Sequence, residues 1–415
     1  MTVQGKKIVD LEILDASYGG EGFGRLEDGR PIFVPFVLPG EQVQVAITVE
    51  SKDFCRGELL AVLRPSPNRI QPRCPHFGSC GGCHYQHIRY DHQQVLKQKI
   101  VIDQFKRIGK FAQIPVRDIQ PSPLEWNYRN TMQFHLSPHG LPGFRNISGT
   151  EVVEIRECHL PVEAIQQVWP TFEIETDLGI KRLFIRAGSD EEVLVGLESE
   201  ADQLPDLALD FPLSVHFLGR ERDVLLAGDA YSIFNIKGFD FKVSPRSFFQ
   251  VNLDQAEALV DFVLANGKFR SSSTILDLYC GVGLFSTFLA PIVQDVVAVE
   301  LSESACTDFS ENLNAFDNVS LYIGAVEKVL PELHLRPDVV LVDPPRAGLG
   351  RPVVDVIAAS EPQQVIYVSC DPATLARDCR RFTELGYRVD LVQPFDLFPQ
   401  TYHVETIVLL SKGKE

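Results

Sequence analysis

Residues 1 to about 64 alternate apolar and polar positions in short runs, Lys7–Leu14, Ile32–Val37 and Gln42–Val49, divided by Gly-rich and Pro-Gly breaks. Period-two alternation marks strands with one buried face, and the breaks mark the turns between them. The pattern predicts a small all-β barrel. From Asp91 to Gly109 the period becomes helical, with Val95, Lys99, Ile102 and Phe105 on one predicted face and a glycine at the end. The acid-rich stretch Gly188 to Asp210 reads as exposed loops and strand edges. After about Phe241 short, continuous apolar runs appear: Thr274–Leu278, Val296–Glu300, Val339–Asp343 and Gln364–Val368. Such runs are buried on both faces and belong in a parallel sheet. Helix-like stretches such as Glu303–Asn314 and Pro372–Glu384 lie between or after them, so this part predicts a doubly wound α/β domain.

A length of 415 residues allows two to four domains. The shifts in pattern divide the chain into residues 1–64, 65–240 and 241–415, a β-barrel, an α+β central part and an α/β domain, with the helix 91–109 expected against the last. The hydrophobic share, 45%, and the charged share, 23%, exclude disordered, collagen-like and coiled-coil classes. No window reaches the ~18–20 uninterrupted apolar residues of a membrane helix. The start, MTVQGKKIVD, lacks the apolar core of a secretory signal, so a soluble, cytoplasmic protein without a membrane partner is expected. A net charge of −17, taken whole, argues against a partner as acidic as nucleic acid. Residues 65–120 qualify that inference, because they hold nine Lys or Arg against three Asp and predict a local basic surface.

The first run of the α/β domain leads into Asp277-Leu278-Tyr279-Cys280-Gly281-Val282-Gly283-Leu284-Phe285-Ser286. Ligands of doubly wound sheets sit at the carboxyl ends of the strands, where glycines let the backbone approach closely. Dinucleotide binding would show a third glycine where Ser286 stands. Glu300 ends the next run and can take both hydroxyls of a ribose; with it, the glycine segment resembles the S-adenosylmethionine (SAM) site of class I methyltransferases more than an NAD site. Asp343-Pro344-Pro345-Arg346-Ala347-Gly348 puts two prolines directly after a strand, a rigid turn that holds Asp343 at the sheet edge. Val368-Ser369-Cys370-Asp371-Pro372 puts a cysteine at the same edge, before a predicted helix whose N-terminus would favour a thiolate nucleophile.

Beside SAM such a thiolate has a definite use. Carbon 5 of uracil is a poor nucleophile, but addition of a thiolate to carbon 6 makes an enolate whose carbon 5 can attack the sulfonium methyl. A base must then take the carbon 5 proton so that cysteine can leave, and Glu405, at the entry to a last strand Ile407–Leu410, is a candidate.

Asp343-Pro344-Pro345-Arg346-x-Gly348, Tyr367-x-Ser369-Cys370 and His403-x-Glu405 together resemble the signature of the RNA (uracil-5-)-methyltransferase family. The likeness extends over essentially the whole chain: the N-terminal barrel resembles a TRAM domain, an RNA-binding module, and Ser244–Asn252 resembles the segment that opens the catalytic domain. It implies Cys370 as nucleophile, Glu405 as base, and Gln250, Tyr279, Glu300 and Asp343 as SAM contacts. It further implies a monomer that makes 5-methyluridine, with 23S rRNA as the expected substrate and tRNA as the alternative. A non-catalytic RNA-binding or ribosome-assembly protein is the competing class, against which the presence of both Cys370 and Glu405 speaks. Asp371 departs from the Asn or Gln usual after the nucleophile, and a carboxylate there should disfavour the thiolate. The target base must leave its stack to meet Cys370, and Phe134 and Phe248 are aromatic candidates to receive it.

Cys74, Cys80 and Cys83 form C-x5-C-x2-C, and Cys158 can complete four thiolates. Spacing leaves zinc and an iron–sulfur cluster open. The family resemblance, including Cys80-Gly81-Gly82-Cys83-x-x-Gln86-His87, implies a [4Fe-4S] cluster that is structural or positions RNA.

Overall fold

In a computed structural model of the chain, residues 2–3, 6–175, 178–201, 203–205 and 212–413 are described. They fall into two compact units, one of Met1–Ile100, Phe144–Val153 and Phe398–His403, the other of Val101–Gly143, Glu154–Leu397 and Val404–Glu415.

The first unit begins with the predicted all-β domain. Its strands Lys6–Glu12, Gln42–Glu50, Cys55–Arg64, Pro31–Pro35 and Glu21–Arg25 are neighbours in that order. They enclose one apolar core built on Leu11, Ile13, Ile32, Val34, Val43 and Val45. Closure depends on Gly24, where a Cβ would lie 2.5 Å from the carbonyl oxygen of Glu12, so only glycine lets the two backbones pass. Beneath the barrel Glu41 is fully buried and accepts hydrogen bonds from Leu38 N, Ser66 N and the Arg69 guanidinium, the last at 2.6 and 2.7 Å. Removing one partner of a buried pair leaves an uncompensated charge. Glu41→Ala should therefore lower unfolding stability by about 3 kcal/mol, read as a shift in the urea midpoint.

The predicted helix forms over Tyr90–Arg107, but its buried face is not the expected one. Val95 is 55% exposed and Lys99 is exposed, whereas Gln93, Leu96, Lys97 and Ile100 are buried. Two polar residues occupy inward positions because each finds partners there. Gln93 Nε2 donates to Tyr85 O and Ile88 O, and Lys97 Nζ donates to Phe398 O at 2.9 Å. The expected basic surface of residues 65–120 shrinks accordingly. Arg69, Arg89, Lys99 and Arg107 pair with Glu41, Asp91, Asp15 and Asp103, and Lys97 is interior.

In the second unit, Val101 and Phe105 from the end of this helix belong to the apolar core that includes the α/β sheet. That sheet has strands β1 Thr274–Leu278, β2 Asp295–Glu300, β3 Val319–Ile323, β4 Val339–Val342, β5 Gln364–Ser369, β6 Tyr387–Phe395 and β7 Glu405–Lys412. Their spatial order is β3-β2-β1-β4-β5-β7-β6, with β1 to β5 parallel and β7 antiparallel to both neighbours. The order reverses at β1, so the carboxyl ends of β1, β2 and β4 border a switch-point crevice. A second, mostly antiparallel sheet includes Thr131–Leu136, Ile180–Ala187, Val193–Ser199, Ser214–Leu218 and Asp223–Ala227. Part of the stretch expected as exposed loops and strand edges is thus Val193–Ser199, an interior strand paired on both sides and almost wholly buried. Its acids misled the reading: apolar residues outnumber them within the strand itself. Asp202 and 206–210 lie outside the described residues.

Candidate active site at the strand ends

The site residues of the α/β domain are assembled by sheet register. Ser369 on β5 pairs with Thr406 on β7, and the strands are antiparallel, so the next residue, Cys370, stands across from Glu405. Val342 on β4 pairs with Leu278 on β1 and Tyr367 on β5 in parallel register, which carries Asp343 to the edge between Tyr279 and Cys370. The turn after Asp343 is fixed from below. Gly348 has φ +73°, a Cβ there would meet Asp378 Oδ2 at 2.5 Å, and the same oxygen accepts from Leu349 N and Tyr367 OH at 2.9 Å.

Cys370 is partly buried and Glu405 is 4% exposed. Burial pushes the Cys370 thiol up to about 11, with Glu405 and Asp343 adding to the rise; the Arg346 guanidinium opposes it by charge and by a hydrogen bond. Glu405 is itself raised well above the usual carboxyl range, first by burial and then by Asp343, again opposed by Arg346. Asp343 is raised by burial and by Asp277. The expected thiolate-favouring helix end is therefore outweighed by desolvation and two carboxyl neighbours. Asp371 Oδ1 accepts from Ala373 N and Thr374 N at 2.9 Å and so caps the helix Pro372–Glu384.

Reactivity of this thiol should follow its thiolate fraction. Because the pKa is raised, iodoacetamide labelling of the Cys370 peptide should climb about tenfold per pH unit from pH 7 upward and level off only near 11. Arg346→Ala removes a cation that opposes this rise and should slow labelling at pH 8, followed by peptide mass spectrometry. Faster labelling would show that Arg346 does not support the thiolate.

Of the other predicted contacts, Tyr279 follows β1 and Glu300 ends β2, at carboxyl ends of neighbouring strands. Glu300 at the end of β2 accepts from Gly281 N at 3.0 Å through one oxygen, and from Leu301 N and Ser302 N at 2.8 Å through the other. It braces the glycine turn while remaining partly exposed. Tyr279 donates its OH to Glu327 at 3.0 Å. Gln250 is 8% exposed, and its backbone oxygen accepts from Asn130 Nδ2 at 2.9 Å. Sequence reasoning gave no role to Arg346, though it stood inside a quoted motif, nor to Asp277. The latter is buried under the glycine turn, accepts from Ser286 OH at 2.6 Å, and is raised to about 7 by burial. The signal for both was present, a cation beside the strand-end acid and an acid within a buried strand. Of the two aromatic candidates, Phe134 is fully buried and stacked on Trp169 at 5.3 Å, whereas Phe248 is 68% exposed.

In the first unit Cys74, Cys80 and Cys83 are all partly buried. Cys74 lies near enough to act on Cys80 electrostatically, and Gly82 N donates to Cys80 Sγ at 3.4 Å. The loop is tied down by Gly81 N to Arg145 O at 2.9 Å. Cys158 belongs to the other unit and is also partly buried. Among the described residues no three His, Cys, Asp or Glu side chains converge as a metal site. Cys74, Cys80 and Cys83 offer sulfur donors alone, with a backbone N–H aimed at Cys80, a donor chemistry that suits a thiophilic group.

Comparison with known proteins bears on the same two regions. The model of a tRNA (uracil-5-)-methyltransferase family matches residues 196–413, and that of the TRAM domain matches residues 4–60. A protein of Thermotoga maritima named as an uncharacterized RNA methyltransferase is 33% identical, over 95% of this chain and 97% of its own. One of Halalkalibacterium halodurans with the same description is 33% identical over 97% of each. Among solved structures, the tRNA (uracil-54, C5)-methyltransferase of Pyrococcus abyssi in complex with S-adenosyl-L-homocysteine is 28% identical. It superposes with a TM-score of 0.76 over 97% of this chain and 100% of that one.

Proposed function

We propose, from the premise that this chain belongs to the tRNA (uracil-5-)-methyltransferase family, that it methylates carbon 5 of a uridine in RNA through Cys370 and Glu405. It is a SAM-dependent RNA methyltransferase with an N-terminal TRAM domain and a C-terminal class I methyltransferase fold. The observation that carries the mechanistic reading is the β5–β7 register, which sets Cys370 opposite Glu405 beside Asp343. When bound, SAM supplies an electrophilic methyl on a sulfonium. Gln250, Tyr279, Glu300 and Asp343 would hold it, and Glu300 fits the ribose because its carboxylate is already braced at the end of β2.

The Cys370 thiolate adds to carbon 6 of the flipped uracil, forming a C–S bond and moving electrons onto the carbon 5 enolate. Carbon 5 would take its methyl from bound SAM, the methyl–sulfur bond breaking with the electron pair kept on sulfur as a neutral thioether. Glu405 then accepts the proton from carbon 5, the double bond reforms, and Cys370 leaves as thiolate with its electron pair. Burial raises the Glu405 carboxyl, so in its ionised form it binds a proton more strongly than a solvated carboxylate. Arg346 supports the thiolate by charge and hydrogen bond.

The functional division is 1–64 for RNA binding, 65–240 for the cysteine-bearing central part and 241–415 for methyl transfer. The chain works as a monomer in the cytoplasm, consistent with there being no helix among the described residues long and apolar enough to cross a membrane. Cys74, Cys80, Cys83 and Cys158 would hold a [4Fe-4S] cluster, which would give the cysteine loop a fixed shape. The substrate is 23S rRNA. A tRNA substrate is the second reading, favoured by the full-length likeness to the Pyrococcus abyssi enzyme. Incubation of both transcripts with SAM, followed by nucleoside mass spectrometry, separates them: 5-methyluridine in 23S rRNA alone supports the first, in tRNA alone the second, and in neither overturns the activity.

A further inference from the structure

The second unit contains an open cavity of about 730 Å³. One wall is a sheet face. Arg182, Phe184 and Arg186 alternate along one strand, opposite His135, Gln133 and Thr131 on the next, while Leu183 and Ile185 point to the other side and are fully buried. The loop Pro245–Phe249 forms a second wall, and Ser302, Glu303 and Ser304 also line the cavity.

Four arginines line this cavity, and they divide by partner. Arg182 pairs with Glu198 at 2.5 Å and Arg246 with Asp223 at 2.6 Å. Arg186 is 4% exposed and has no carboxylate partner among the described residues. Its Nη atoms donate to Ser244 O at 3.0 Å and Ser247 O at 2.8 Å, and its Nε is buried with no acceptor. Burial lowers it to about 10, opposed by the charge of Asp308, which forms no ion pair with it among the described residues. Arg129 likewise has a buried Nε without an acceptor and forms no ion pair among the described residues. Buried guanidinium nitrogens are normally satisfied, and an unneutralised buried charge is costly unless an anion completes it. The planar guanidinium fork suits a phosphate oxygen pair.

We propose that this cavity is a phosphodiester subsite of the RNA substrate: Arg129 binds a backbone phosphate of the strand that presents the target nucleotide, and Arg186 anchors the loop 245–249 that forms the subsite's second wall. It rests on the reading of the chain as an RNA methyltransferase and adds where the backbone is held. Phosphate contacts set register and orientation without reading sequence, which is what an enzyme acting on one extruded base requires.

The test is RNA binding by the full chain, measured with the transcript it methylates, across 50–200 mM salt, with SAM affinity and thermal midpoint measured in parallel. Arg129→Gln should weaken RNA binding about tenfold and reduce the slope of log K against log salt by about 0.7–1, one lost phosphate contact. SAM affinity should stay unchanged. Gln133→Glu, at an exposed position on the same sheet face, should weaken RNA binding in the same direction, and covers the case in which Arg129→Gln does not fold. Wild-type affinity and slope in both variants would overturn the subsite. So would a loss of SAM affinity with RNA binding intact, since the cavity would then serve the cofactor. If the wild-type chain methylates no RNA, the activity itself fails, and the variants' binding of the same transcripts still decides the phosphate contact.

Discussion

Cys370→Ala removes methyl transfer to RNA uridine, with a loss on the order of 10⁴–10⁶ in rate, because removing the nucleophile of a covalent mechanism leaves only binding and orientation. Cys379 and Cys280 are buried in the sheet's surroundings, and both thiols are pushed well above their ordinary range by desolvation. SAM affinity should remain within about twofold, since the thiol sits at the end of β5 whereas the expected cofactor contacts lie on β1, β2 and β4 and in the segment around Gln250. The check is single-turnover transfer of labelled methyl to RNA beside equilibrium SAM binding. Unchanged turnover in the variant would sink the covalent route.

Glu405→Gln separates the two halves of the reaction. The variant keeps the side chain's volume and a hydrogen-bonding oxygen in a position that is 4% exposed, so the start of β7 should hold its register with Thr406 against Ser369. It also removes one of the carboxyl groups that raise the Cys370 thiol, so addition to carbon 6 should be no slower than in the wild type. Proton removal from carbon 5 then has no acceptor, and the methylated, Cys370-linked RNA should accumulate. Denaturing electrophoresis should show a protein–RNA band that survives heating in detergent, with product release down at least about 10²-fold, the usual contribution of a positioned base. Free 5-methyluridine product at the wild-type rate would assign the proton to another group.

The parallel strands β1, β2, β4 and β5 were legible because strands covered on both faces are continuous apolar runs. β3 was not, since Val319–Ile323 is an exposed edge strand, and β6 was not, since Arg388 and Asp390 interrupt it around an irregular register near Val389. Periodicity found the helix Tyr90–Arg107 but missed its inward face, because Gln93 and Lys97 are buried for their hydrogen bonds rather than their hydropathy. The same limit applied to the site. Cys370, Asp343 and Glu300 could be placed from strand ends alone. Glu405 could not: its partnership with Cys370 depends on the antiparallel return of β7, a long-range pairing that local pattern does not encode. Nor could charge counting see that Arg69 and Lys99 are already paired within the fold, or that Arg129 and Arg186 form no ion pair among the described residues.

A transcript carrying 5-fluorouridine in place of uridine tests the central claim most directly, because fluorine at carbon 5 leaves no proton for Glu405 to remove. Incubated with the wild-type chain and SAM, it should form one covalent adduct per chain, with one added methyl, and peptide mass spectrometry should place the link on the Cys370 peptide. An adduct on another residue, or no adduct from a preparation that makes 5-methyluridine in the unmodified transcript, would contradict the account.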